Sequence, residues 1–199
     1  MTLSAILMAL VAARYFLPSM PGAFEQQKDF YPTVRPVLLA HIAGGIIAVV
    51  AGPWQFWSWL RTHHVRWHRR IGKTYLFGTL IGVPAALYLA QFAHGGFVTH
   101  AGFTGMALVW GWATGAAYVR IRAGRIDQHR EWMTRSYAVV FGFVMLRLWI
   151  PALMSFGIPF DEVYQTVSWL CWVPNLLLAE LYLGWRRNQR VSVVAPAAA

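Results

Sequence analysis

Long apolar stretches recur along this chain at close to the length that an α-helix needs to cross a lipid bilayer. They lie at about residues 3–19, 36–58, 73–93, 100–120, 133–156 and 164–185. A hydrocarbon core of about 30 Å requires about 20 apolar residues in a helix. A soluble bundle would have to bury all of these stretches with only 7 acidic residues for its surface. We therefore predict an all-α integral membrane protein with six transmembrane helices, in which helices 2–5 form a four-helix core bundle.

The same stretches predict a single transmembrane domain over residues 1–190. The first stretch has no cations before it and no small-residue cleavage site after it, which is not the pattern of a signal peptide. We expect it to be retained as a helix. Residues 191–199, with the sequence VSVVAPAAA, are of low complexity and are predicted to form a disordered tail.

Cations are concentrated in three segments that alternate with the apolar stretches. Thirteen of the 17 Lys and Arg residues lie at 61–73, 120–135 and 186–190. Because cytoplasmic loops carry an excess of Lys and Arg, we predict a multi-pass protein of the inner (cytoplasmic) membrane with both termini in the cytoplasm. The net charge of +10 then reflects topology and contact with anionic membrane lipid, and no nucleic-acid partner is expected.

A histidine–arginine pair opens two of the apolar stretches, in WHRRIGKTYLFG at 67–78 and in QHREWMTRSYAVVFG at 128–142. Lys73 and Tyr75 of the first copy correspond to Arg135 and Tyr137 of the second. This correspondence indicates a duplicated hairpin.

Four histidines lie on four successive predicted helices and alternate between the two membrane faces: His41, His68, His100 and His129. In a four-helix bundle His41 would meet His100 near the outer face, and His68 would meet His129 near the inner face. Two imidazoles from facing helices can be the axial ligands of haem iron. We therefore predict two b-type haems. Arginines would hold the haem propionates, and the candidates are Arg69, Arg130, Arg135 and Arg147.

Glycines beside the outer histidines, in HIAGG at 41–45 and HAGFTG at 100–105, are consistent with a bulky group close to the backbone.

Other interpretations of these residues stay open. His68 and His129 could face lipid headgroups, and His63 and His64 belong to a basic turn. His94 could join His41 and His100 in a zinc or copper site. Arg147 could bind the head of a quinone or another acidic substrate, or have a structural role. Arg135 lies at the depth of Glu180, which predicts an ion pair between them and leaves a proton relay open.

The run HIAGG, HRRIGKTY and HREWMTRSYA, followed by Arg147 and Pro151, resembles the uncharacterised membrane-protein family catalogued as domain of unknown function 2306. The resemblance covers roughly residues 36–155 and implies no established activity. The alternation of the four histidines also resembles di-haem transmembrane cytochrome b proteins, in architecture and spacing. That resemblance implies haems between helices two and four and between helices three and five.

These observations predict transmembrane electron transfer, between a quinone or small reductant and an acceptor on the other face. The alternatives are a small-molecule or ion transporter built from two repeated hairpins, and a non-catalytic subunit or assembly factor that binds other membrane-protein subunits. Hydrolase chemistry has no support, because the adjacent acids Asp161 and Glu162 cannot act as a facing pair and no nucleophilic triad is visible.

Overall fold

The computed structural model describes residues 2–17 and 32–194, with side chains to residue 189. The described residues are helical with no strand, which confirms the all-α prediction. In chain order the helices are α1 Thr2–Ala13, α2 Arg35–Phe56, α3 Ser58–His63, α4 Val65–Ala90, α5 Phe97–Arg122, α6 Ile126–Val140, α7 Gly142–Met154, α8 Phe160–Leu170 and α9 Val173–Val194. A 3₁₀ turn, Arg14–Phe16, follows α1.

Among the described residues, four helical segments are long and apolar enough to cross a membrane: Arg35–Phe56, Val65–Ala90, Ile126–Met154 and Phe160–Gln189. The last two each join two helices end to end, α6 with α7 and α8 with α9. Helix α5 has 26 residues but is not among these four, and α1 is a short apolar helix. Length and apolarity thus identify four membrane-spanning candidates where the sequence predicted six.

The helices extend beyond the predicted apolar stretches on the side where the cations lie. Helix α4 begins at Val65 instead of residue 73, and α6 begins at Ile126 instead of residue 133. An apolar stretch marks the hydrocarbon core, whereas backbone hydrogen bonding continues into the headgroup region. The basic segments are therefore largely helical, and His68 and His129 lie within helices.

The predicted tail and the segment after the first apolar stretch lie partly outside the described residues. Helix α9 continues to Val194, into the predicted tail, and residues 195–199 lie outside the described part. The predicted orientation makes residues 17–35 and 152–163 outer loops. Most of the first lies outside the described residues, and the second is shorter than expected, because Asp161 and Glu162 form the first turn of α8.

Proline explains one interruption of the helical segments. The segment 160–189 breaks at Cys171 and Trp172, just before Pro174. Proline has no N–H to donate, and the Asn175 side chain donates from Nδ2 to the Cys171 carbonyl at 2.9 Å. Prolines within apolar stretches predict bends at Pro84 and Pro174. The break near Pro174 agrees with that expectation, whereas Pro84 lies within the continuous helix α4.

Four of the elements pack in a ring. Helix α2 packs against α4, α4 against α5, α5 against α6, and α6 against α2. Outside this ring, α8 contacts α5 and α7, α9 contacts α6, and α1 contacts α2 and α7. We call the end at which α2, α5 and α9 finish and α4 and α6 begin the basic end. The other end of the ring is called the opposite end.

Glycines bring the backbones of α2 and α4 into direct contact. A Cβ atom on Gly44 would lie 2.6 Å from the Gly78 carbonyl oxygen and 2.6 Å from the Gly82 Cα atom. Gly78 and Gly82 are four residues apart and so lie on one face of α4. Small residues at this spacing allow membrane helices to approach closely. The glycines of HIAGG therefore serve helix packing, at least in part.

Ion pairs connect α9 to α6. The Arg135 guanidinium donates from Nε to Glu180 Oε1 at 2.5 Å and from Nη2 to Glu180 Oε2 at 2.9 Å. The ion pair predicted from their common depth is confirmed. Arg135 also lies 3.9 Å from Glu131, which in turn pairs with Arg187. The result is a four-residue charge network at the basic end.

Replacement of Gly44 by alanine should lower the stability of the protein. The new methyl group would collide with the backbone of α4, so the two helices must separate, at a cost of about 1–3 kcal/mol. The measurement is the thermal unfolding midpoint in detergent. Gly115→Ala is the matched control, because no atom lies within 4 Å of a Cβ at that position. Equal midpoints for the two variants would contradict the close contact.

Charge reversal should reveal coupling between Arg135 and Glu180. Arg135→Glu and Glu180→Arg each leave two like charges facing each other, while the double variant restores a pair of opposite charges. We expect a coupling of about 0.5–3 kcal/mol in a double-mutant cycle on thermal stability. Rescue should be incomplete, because a glutamate at position 135 would also face Glu131. Strictly additive losses would disprove the coupling.

Candidate functional site

A cavity of about 430 Å³ lies within the helices, toward the opposite end. Its walls come from the C-terminal part of α1, the first turns of α2, the last turns of α4, the first half of α5, α7, and Tyr164 of α8. Most of the lining is apolar, and its polar side chains are Arg14, Tyr15, His41, Trp110, Arg147 and Tyr164. Ligand pockets commonly have volumes of about 300–1,000 Å³ with few polar groups. Both size and lining are suited to an apolar molecule with a small polar head.

His41 presents an imidazole to this cavity. It lies in the second turn of α2, one turn before the glycine contact with α4. Its Nδ1 atom is buried and has no hydrogen-bond partner among the described residues. A buried polar atom without a partner is unfavourable by about 1–3 kcal/mol. Because this atom is buried, a ligand in the cavity would meet the rest of the imidazole ring.

Arg147 brings a cation to the same cavity. It lies 12 residues beyond Arg135 in sequence, which predicts a position nearer the opposite end. The structure places it in α7, in the half of the segment 126–154 away from the basic end. Its Nη1 donates to the Phe143 carbonyl at 3.0 Å, and its guanidinium stacks 3.9 Å from the centre of the Phe143 ring. It also interacts electrostatically with His41 and Tyr15. His41 and Arg147 are therefore brought together, although they are more than 100 residues apart in sequence.

His100 does not line the cavity. Its Nε2 atom lies 2.8 Å from the Ala93 carbonyl oxygen, so the ring closes the turn between α4 and α5. The neighbouring Gly102 faces Ser168 of α8, and Gly105 faces Trp172 in the break after α8, so both glycines accommodate the segment 160–189. Of these two histidines, His41 lines the cavity and His100 does not. This arrangement does not fit a haem held by both.

His94 does not join them. Its Nε2 pairs with Asp161 Oδ1 at 2.6 Å, which connects the α4–α5 turn to α8. No group of three or more histidines, cysteines or acids able to hold a metal ion occurs in the described part of the chain. The three-histidine alternative is therefore wrong for His41, His94 and His100.

His68 and His129 lie near each other at the basic end, on α4 and α6. The two rings are close enough to interact electrostatically. His129 Nδ1 contacts the Ala117 carbonyl at 2.9 Å, and donation in that bond leaves Nε2 as the unprotonated nitrogen. His68 Nδ1 is buried without a hydrogen-bond partner among the described residues. A carbonyl on the remote nitrogen is the usual support of a metal-ligating histidine, and the assignment of a haem to this pair stays a prediction.

The other predicted arginines lie near the basic end but have different surroundings. Arg69 is exposed. Arg130 is also exposed and pairs with Asp127 at 3.4 Å. Arg135 is engaged with Glu180 and Glu131. The prediction that these three hold haem propionates stays a prediction.

A buried hydroxyl network in the middle of the ring was missed by the sequence analysis. The Tyr75 hydroxyl lies 2.6 Å from Ser136 Oγ, which lies 2.7 Å from Thr114 Oγ1. These side chains join α4, α6 and α5. Tyr137, the counterpart of Tyr75, instead donates to the Val49 carbonyl of α2 at 3.2 Å. Its ring lies against Gly52. The repeated tyrosine was the available signal, since a buried tyrosine hydroxyl requires a partner.

Comparison with known proteins agrees with this architecture. The sequence matches no curated protein and no solved structure. Residues 38–183 match the family model described as "Predicted membrane protein (DUF2306)". The match covers the ring and the cavity-lining segments of α2, α4, α5 and α7. It also includes the four histidines at positions 41, 68, 100 and 129. This chain belongs to the DUF2306 family of predicted membrane proteins.

Proposed function

We propose that this protein carries electrons across the inner (cytoplasmic) membrane. The proposal has six spans with both termini in the cytoplasm, so that α1 and α5 cross the membrane together with the four longer apolar segments. The alternating direction of the packed helices supports this count, as does the 26-residue length of α5. The clustering of cations at one end supports the orientation.

One observation carries the proposal. The two histidine side chains with a buried, unpartnered nitrogen in the described part of the chain are His41 and His68. One lines a cavity toward the opposite end, and the other lies beside His129 at the basic end. Two polar sites at different depths of one helical ring are what a transmembrane electron route requires.

At the basic end, His68 and His129 are the residues that would hold a b-type haem. When bound, such a group supplies one-electron redox chemistry at an iron atom. The protein's own contribution is to orient the rings. The Ala117 carbonyl fixes one tautomer of His129, and the hydrogen bond between Tyr75 and Ser136 joins α4 to α6. Toward the opposite end, the cavity with His41 and Arg147 is the place where a donor or acceptor would bind. Other membrane subunits could then supply the remaining steps.

Transport of a small molecule is a second candidate, which the cavity itself favours. A cavity in one half of a bundle of two similar hairpins could open alternately to the two faces. This candidate and the subunit candidate both predict a protein without visible colour, which separates them from electron transfer.

Visible spectroscopy of histidine variants should show which histidines hold the haem. We expect the protein purified from haem-replete cells to show reduced b-type bands. His68→Ala and His129→Ala should each remove the bands of the basic-end haem, because each deletes an axial ligand. His100→Ala should keep those bands, since His100 lies in the first turn of α5, at the opposite end from His68 and His129. His64→Ala is the control, an exposed histidine at the same end.

Two results would count against this assignment. Loss of all bands in His100→Ala with retained folding would restore the sequence-based pairing of His41 with His100. A colourless protein, with normal thermal stability in every variant, would remove haem and favour the transporter or subunit candidates.

A further inference from the structure

The geometry points to the cavity as a binding site for a lipid-soluble quinone, held by its ring and its two oxygen atoms. Electron exchange by the bound quinone rests on the proposed function, but the binding site itself rests only on the cavity. The sequence-based pairing of His41 with His100 around a haem does not fit this cavity, because His41 lines it and His100 does not.

The aromatic character of the lining favours a planar ring. Six aromatic side chains face the cavity: Tyr15, Phe92, Phe103, Trp110, Phe143 and Tyr164. Aromatic faces stack on flat conjugated rings more favourably than on a single acyl chain. The cavity volume of about 430 Å³ suits a substituted ring with the first part of a tail.

The polar groups match the oxygen atoms of a quinone in both redox states. A neutral imidazole nitrogen accepts a hydrogen bond from a hydroquinone hydroxyl, or donates one to a quinone carbonyl, according to its tautomer. His41 lines the cavity and brings an imidazole of this kind to it. Arg147 supplies guanidinium N–H donors on another wall of the same cavity, which suit a carbonyl oxygen.

An acidic amphiphile is the main competing occupant, because Arg14 and Arg147 both line the cavity. Arg147 already donates to the Phe143 carbonyl and stacks on the Phe143 ring, so part of its charge is stabilised within the protein. Arg14 is exposed at the end of α1. A neutral head group therefore suits His41 and Arg147 better than a carboxylate does.

The test is direct binding of decylubiquinone to the purified protein in detergent, measured by equilibrium dialysis. We expect saturable binding that weakens about fivefold to tenfold in His41→Ala, because one hydrogen bond is lost. His41→Gln should recover part of the affinity, since an amide can both donate and accept. His100→Ala is the matched control and should bind like the unaltered protein, because His100 does not line the cavity.

A second variant fills the cavity without removing a polar group. Ala86 lines the cavity from α4, and Ala86→Phe should abolish quinone binding with the thermal midpoint retained. Unchanged binding in Ala86→Phe and His41→Ala would overturn the inference, because the quinone would then lie elsewhere. Displacement by an equal concentration of decanoate would overturn it in favour of an acidic amphiphile.

The outcomes for binding and for electron transfer are separable. A colourless protein that binds decylubiquinone at this cavity would remove the proposed electron route and support the binding site. A protein with b-type bands but no saturable quinone binding would overturn the inference and leave the proposed function in place.

Discussion

The contact between the α2 and α4 backbones at Gly44, Gly78 and Gly82 is the interaction on which the other features of this protein depend. In lipid, no hydrophobic force drives two apolar helices together, so close backbone packing has to supply much of the attraction. The contact fixes the rotation of α2 about its axis. His41 lies one turn earlier on the same helix, and Gly45, next to Gly44, lines the cavity. One short segment, HIAGG, therefore determines both how the helices pack and what the cavity presents.

The features that the sequence predicted correctly depend on distance along a helix. Apolar stretches of spanning length predicted an all-α membrane protein. The rise of about 1.5 Å per residue placed Arg135 and Glu180 at one depth, and they do pair. Arg147 lies in the predicted half of its segment for the same reason. Depth follows from counting residues, and counting needs no knowledge of packing.

Direction around the helix axis was not predictable in this way. His41 and His100 have equivalent depths on helices that lie across the ring, yet only His41 faces the cavity. His100 turns toward the Ala93 carbonyl, because the tight turn between α4 and α5 presents that acceptor. The boundaries of α4 and α6 were also misplaced, since polar residues at a membrane surface can continue a helix. Neither effect leaves a periodic pattern in a single sequence.

The ring closes through contacts that become available at different times during synthesis. Gly44 and Gly82 belong to consecutive long helices, so the first hairpin can dock as soon as α4 has entered the membrane. Tyr75 and Tyr137 have partners that require α6: the hydroxyl of Tyr75 needs Ser136, and Tyr137 itself lies on α6 and reaches back to Val49. During membrane insertion the glycine-packed hairpin would therefore form first, and the hydrogen bonds of the two tyrosines would form last. The two copies of the motif are alike in sequence. The tyrosine of the first copy would nevertheless gain its partner only after α6, which carries the second copy, has been inserted.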